Sequence, residues 1–331
     1  MKIVTLGHSG VGKTTYMTSL YLAMQDGFEG FYLRALDNAH HRELMELGRQ
    51  ITINQYPPAT AKRSIYRFML QYQQADVLDF TWADYRGGAI DQASSDQQKA
   101  MLLEDLRDAD GLMMLCDCSQ MTPNWIGLNS PIGKHVQRMS QLVQYAAPHL
   151  THPISLSIML TKVDLVQVFK EKMLDPLGGV LSSVSVSDRI SGALIPVACG
   201  SSFINVPMPL LFALQNAVRH KGTAMLANIK SVEGVAAREE QASAGLGGWF
   251  DRVGARIFGY ETHAQKASTQ RQQAASLRQE HRGIADSLAI IDREVRRLPL
   301  IRRGVSTYDY VSMVAGSVDK PAHHRRFLNL G

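Results

Sequence analysis

The chain is short of several things, and each shortage closes off a class of function. It has three cysteines in 331 residues. Cys116, Cys118 and Cys199 are too few and too apolar in context for a disulfide framework, and Cys116-x-Cys118 lacks the spacing of a zinc knuckle. They read as small hydrophobes in or beside strands. No run of about 18 uncharged apolar residues occurs, which argues against a membrane span. The N-terminus reads as a core strand rather than a signal sequence, so cytoplasmic residence is the expectation. The basic residues lack interleaved aromatics, and nothing marks a nucleic-acid surface.

What is present is enough apolar material for a core, 45% of residues, and a charge asymmetry. Residues 1–217 carry 17 Lys+Arg against 19 Asp+Glu, whereas residues 218–331 carry 18 against 11. The net charge of +5 therefore belongs to the C-terminal third. A solvated helical face rich in arginine is the commoner source of such a balance; an acidic partner or an anionic membrane is the alternative.

The most informative stretch is the first, MKIVTLGHSGVGKTT. An apolar run leads into Gly7, His8, Ser9, Gly10, Val11, Gly12, Lys13 and Thr14, which meets G-x-x-x-x-G-K-[ST], and Thr15–Met24 continues as a helix. Strand, glycine loop and helix in that order are the context a phosphate-binding loop requires. Glycines let successive backbone N–H groups face one concavity, the helix adds its positive end, Lys13 reaches the phosphates and the Thr14 hydroxyl suits Mg²⁺.

Further along, an irregular insert spans 25–60 with a helical middle, His40–Gln50. Two strand-like runs, Ser64–Tyr72 and Val77–Ala83, have hairpin spacing. The second ends in Asp84-Tyr85-Arg86-Gly87-Gly88, where a carboxylate can hold a metal-bound water and a glycine N–H can meet a γ-phosphate. Gln97–Arg107 and Pro131–Ala146 read as helices, and Gly111–Cys118 and Pro153–Leu160 as strands buried on both faces. The last strand leads into Thr161-Lys162-Val163-Asp164. A carboxylate at Asp164 can accept two parallel N–H bonds from guanine, and the Lys162 stem can cover the base. Leu194–Ala198 followed by Cys199-Gly200 offers a small-residue turn for the base oxygen.

These motifs, GHSGVGKT, Thr60, DYRG, TKVD and ACGS, resemble those of a Ras-like GTPase of the translation-factor-related (TRAFAC) class. The wording GKTTYM, YPPAT and DYRGG is similar to the prokaryotic double-GTPase families of bacterial multi-gene systems. The resemblance covers roughly residues 1–217. It implies an α/β Ras-like fold and a GTP/GDP switch in which Gly7–Thr15, Gly87, Thr161, Lys162, Asp164, Ala198 and Cys199 bind nucleotide. Thr14, Thr60 and Asp84 would hold Mg²⁺. It departs from the pattern in one place: Gly88 stands where such enzymes usually carry the water-orienting glutamine, and the nearest glutamine is Gln92. Arg86 or Arg63 is the candidate source of catalytic charge, with Thr60 closing over the metal. An ATP-using P-loop protein, or a nucleotide-stabilised scaffold, is the competing reading.

Residues 218–303 are expected to form a helical hairpin. Leu277, His281, Ile284, Leu288, Ile291, Val295 and Leu298 step by 4 and 3, a heptad seam, and Pro299 ends it. The segment Trp249–Phe258 between the helices is amphipathic, a candidate membrane or protein contact. In the tail 304–331, Thr307–Val314 reads as β-compatible. A protein partner, an activator or a second GTPase, is expected to act through the switch regions or the hairpin.

Overall fold

The structure, a computed structural model, describes residues 1–57, 64–84, 96–121, 131–200, 202–244 and 262–326. It begins with β1 (Lys2–Leu6), α1 (Lys13–Gln25), β2 (Phe31–Ala35), α2 (Asn38–Thr52), β3 (Ser64–Tyr72) and β4 (Ala75–Asp84). There follow α3 (Asp96–Arg107), β5 (Gly111–Asp117), α4 (Pro131–Ala146), β6 (Ile154–Thr161), α5 (Gly178–Ser185), β7 (Ile190–Cys199) and β8 (Ser202–Ile204). Two long helices, α6 (Met208–Ser243) and α7 (His263–Val295), precede α8 (Thr307–Asp319) and β9 (His324–Arg326).

The strands form one nine-stranded sheet in the order β2-β3-β4-β1-β5-β6-β7-β8-β9. Its five central strands, β4 to β7 through β1, run parallel, and antiparallel pairs extend both sides. Every residue of β5 and β6 is buried, the burial on both faces that their unbroken apolar runs require. This is the expected α/β Ras-like fold, with long helices following it. Because the central strands are parallel, the C-terminal ends of β1, β4, β5, β6 and β7 lie on one edge of the sheet, where ligands of open α/β sheets bind.

Local chemistry accounts for the elements that the sequence pattern missed or misread. The insert contains a strand, β2, whose residues alternate between buried and exposed. After it, Asp37 accepts hydrogen bonds from the backbone N–H groups of Ala39 (2.7 Å) and His40 (3.1 Å), which starts α2 two residues ahead of the expected position. The run at Thr307–Val314 is not β but part of α8. Ser306 and Asp309 form a reciprocal capping box, and Tyr310, Val314 and Ser317 bury one helical face. Aromatic and β-branched residues favour strands only weakly, and here the cap and the 3.6-residue spacing win.

Two close contacts lock the first half of α6 onto the sheet. A Cβ at Gly111 would lie 2.4 Å from the Ala213 carbonyl oxygen, so glycine alone allows this approach. The Ser157 hydroxyl donates to the Pro209 carbonyl at 2.8 Å. The C-terminal segment is held by Asn205, fully buried at φ +54°. Its amide donates to the carbonyls of Pro196 and Ser317, both at 3.1 Å, and its oxygen accepts from Ala322 N–H at 2.8 Å.

Contacts divide the chain into two units, Met1–Ala217 with Ile290–Gly331, and Val218–Ala289. The division at 289/290 falls before the sequence boundary at residue 303. In the second unit α6 runs unbroken through Gly222 and Gly234. Ion pairs Lys221–Glu280, Glu233–Arg278 and Glu240–Arg271 advance along α6 as they retreat along α7, so the helices are antiparallel. Their seam is small-residue rich, with Ile229, Ala236, Ala267, Ala274 and Ile284 buried. Of the expected heptad positions, Ile284, Ile291, Val295 and Leu298 are buried, and Leu277, His281 and Leu288 half-buried. Trp249–Phe258 lies outside the described residues.

Candidate functional site

A cavity of about 430 Å³ opens at the C-terminal edge of the parallel strands. One end is the loop between β1 and α1. Gly10 at φ +77° and Gly12 at φ +98° turn the backbone through the left-handed region, and Gly12 opens α1 as its N-cap. Ser9 to Thr15 line the cavity, so the N-terminal end of α1, the end of a helix that favours an anion, opens onto it.

Lys13 is buried, and its ammonium donates back to the carbonyls of Gly7 (2.9 Å) and His8 (3.1 Å). Burial lowers its pKa, while the nearby Asp84 carboxylate acts in the opposite direction. Asp84 ends β4, 2% exposed, in register with Thr5 of β1. The Thr14 hydroxyl and the Asp84 carboxylate are hard oxygen donors of the kind that could hold Mg²⁺. Among the described residues no group of three or more His, Cys, Asp and Glu could hold a metal alone.

The other end is built from the segment after β6. The Thr161 hydroxyl donates to the carbonyls of Val11 (3.1 Å) and Cys116 (3.2 Å), tying this segment to the glycine loop and to β5. Lys162, at φ +59°, reaches back to the Gly10 carbonyl at 3.2 Å. Asp164 is exposed on the cavity wall; desolvation raises its pKa, and its own backbone N–H and the Lys162 ammonium restrain the rise. Gly200 passes close beside it: a Cβ there would lie 2.6 Å from the Asp164 Oδ2 and displace that side chain. Cys199 also lines this end, and burial pushes its thiol up to about 12, so it is a neutral wall rather than a nucleophile.

The structure thus brings Ser9–Thr15, Thr161, Lys162, Asp164 and Cys199 to one cavity. Gly7 contributes a carbonyl to Lys13. His8 faces away, with its ring 5.3 Å from that of His135 on α4, and burial lowers its pKa. Ala198 is fully buried in β7. Thr60, Arg63, Arg86, Gly87, Gly88 and Gln92 lie outside the described residues. Sequence reading missed Tyr56 and Pro57, which line the cavity after α2, and Asp117 at the end of β5. The aromatic-proline pair before Thr60 was a usable signal for the first two; Asp117 was hidden within an apolar run.

The family model described as Double-GTPase 2 matches residues 2–187, more than half of the chain. Comparison with curated proteins gave no match. Among solved structures, nucleolar GTP-binding protein 1 from Plasmodium falciparum aligns at 12% identity and a TM-score of 0.37, covering 70% of this chain and 92% of that one. The signal recognition particle receptor SRb-GTP/SRX complex from Chaetomium thermophilum gives 11%, 0.37, 60% and 90%. The GTP-bound GTPase-like domain of Ski7 from S. cerevisiae gives 16%, 0.35, 61% and 43%.

Proposed function

The chain belongs to the Double-GTPase 2 family, and from that premise we propose that it is a Mg²⁺-dependent GTP/GDP switch. GTP lies along the 430 Å³ cavity with its phosphates on Gly10–Thr15 and its base against Asp164. The observation that carries this reading is the joining of the two ends. Thr161 and Lys162, which precede the base carboxylate in the chain, hydrogen-bond to carbonyls of the very loop that would hold phosphate. An adenine ring offers no pair of N–H donors to Asp164, whereas guanine offers N1 and N2. Thr14 and Asp84 would hold Mg²⁺, which would neutralise phosphate charge, and the resemblance gives Thr60 a further place on that metal in the GTP state.

Hydrolysis to GDP and phosphate is slow until a partner, an activator or a second GTPase, engages the segments around Thr60 and Gly87. The segment from residue 218, a coiled-coil hairpin in this reading, transmits the signal within a bacterial cytoplasmic multi-protein system. Gly88 in the glutamine position favours a second reading, a nucleotide-stabilised scaffold with little turnover.

Two measurements test this. Labelled GTP should be displaced by unlabelled GTP and not by excess ATP, and Asp164→Ala should abolish that preference; equal displacement by ATP in the wild type defeats the guanine assignment. Single-turnover hydrolysis by the purified chain should be slow and Mg²⁺-dependent. A fast, partner-free rate unaffected by Arg86→Ala defeats the activator reading, and none with any partner leaves the scaffold.

A further inference from the structure

We propose that Asp117 is a positioning residue for guanine-nucleotide binding, acting through Lys162; this rests on the guanine reading of the cavity. Asp117 is the last residue of β5, paired in register with Thr161 of β6, and its side chain is fully buried. Four donors converge on its carboxylate. Oδ1 accepts from the Ser119 backbone N–H at 3.0 Å and hydroxyl at 2.5 Å, and Oδ2 accepts from Gln120 Nε2 at 3.0 Å and Lys162 Nζ at 2.6 Å.

A buried carboxylate is retained where its charge is matched and its lone pairs are filled, and Lys162 supplies the matching charge. The lysine, in turn, has reason to leave. Its backbone sits in the left-handed region, its side chain is one-third exposed, and a free ammonium on a flexible stem prefers water. Asp117 holds it where its second bond falls on the Gly10 carbonyl and its stem walls the base end. Removing the carboxylate frees Lys162, and with it one of the two side-chain ties between base segment and phosphate loop. Asp117 does not line the cavity, so its effect on nucleotide is transmitted.

A purely local role, capping the turn at 118–120, is the competitor, and a double-mutant cycle separates them. GDP and GTP are titrated calorimetrically into full-length wild type, Asp117→Asn, Lys162→Met, the double variant and Ser119→Ala. Asp117→Asn should weaken both nucleotides about tenfold to a hundredfold. Lys162→Met should do the same, and the double variant should bind no more weakly than Lys162→Met alone. Ser119→Ala, which takes a hydroxyl from Oδ1 and leaves the Lys162 pair on Oδ2 in place, should stay within about twofold. Losses that multiply in the double variant, or an equal loss in Ser119→Ala, assign Asp117 to the turn and overturn the proposal. If Asp117→Asn alone fails to fold, the double variant, which buries no unpaired charge, decides against Lys162→Met: equal affinity supports coupling and weaker affinity refutes it. A wild-type chain that binds neither nucleotide overturns the underlying guanine reading, a result distinct from any difference among variants.

Discussion

The two ends of the cavity are organised on opposite principles. At the proposed phosphate end the wall is a backbone loop shaped by Gly10 and Gly12, and the Lys13 side chain is turned onto that same loop. At the proposed base end the groups are side chains, and two of the three are already fixed: Thr161 by two carbonyls and Lys162 by Asp117 and Gly10, with Asp164 exposed beside Gly200. Reorganisation on nucleotide binding would therefore fall mostly at the phosphate end. A base meets a finished wall, whereas a triphosphate must draw Lys13 away from two carbonyls.

That contrast can be broken at either end, and the largest effect is expected at the phosphate end. Lys13→Ala should weaken GTP about a hundredfold or more, since a lysine bonded to phosphate makes charge-assisted hydrogen bonds of about 1.5–3 kcal/mol each. Calorimetry with GMP should show less than about a tenfold loss; equal losses for GTP and GMP would place Lys13 off the β and γ phosphates. Next in size, Asp164→Ala should lower the preference for GTP over ATP about tenfold to a hundredfold, because it removes the only discriminating acceptor proposed. Direct ATP binding should stay within about threefold of wild type.

Gly200→Ala should be milder, about tenfold on GTP. The atom its Cβ meets at 2.6 Å is the far end of the Asp164 side chain, which can rotate aside at the cost of its aim. An unchanged affinity would show the carboxylate is less constrained than the contact implies. The smallest effect concerns His8. Burial lowers its pKa in the folded chain, so the unfolded chain binds its proton more readily. The stability involved is present above the unfolded value near 6.5 and is lost as pH falls through the folded one. Because the ring is only half-buried, His8→Gln should flatten the decline in urea-unfolding stability below about pH 6.5 by under about 1 kcal/mol. A steeper decline in the variant would reverse the sign.

Much of the phosphate end was legible because its chemistry is backbone chemistry, and backbone shape is written in glycines and in the strand-loop-helix order around Lys13. β5, β6 and α4 were equally plain, since unbroken apolar runs and a clear helical period leave few alternatives. The base end was half legible. Thr161 to Asp164 announced itself, but Asp117 acts across a strand pairing, and pairing is not visible in a local window. Gly200 looked like any small turn residue until its neighbour was known. Tyr56 counted only as part of the YPPAT wording, because nothing local shows that it faces a cavity. The helix α8 was misread because Thr, Tyr and Val favour strands on average, whereas the pair Ser306 and Asp309 decides this particular start.

The interrupted make-up of the first unit has a consequence for the order in which the chain can fold. Residues 290–326 rejoin residues 1–217 only after the 72 residues Val218–Ala289 have intervened, and an unstructured loop of that length costs about 4 kcal/mol to close. Two antiparallel helices form from contacts that are comparatively near in sequence, and once zipped they shorten that loop to a tight return. The Gln215 amide can then find Asp292, 2.6 Å away in the finished structure, at little further entropic cost. On this account the helical pair is a folding aid for the rest of the chain. It brings α8 against β7 and β9 against β8, so that the last strand is delivered rather than searched for.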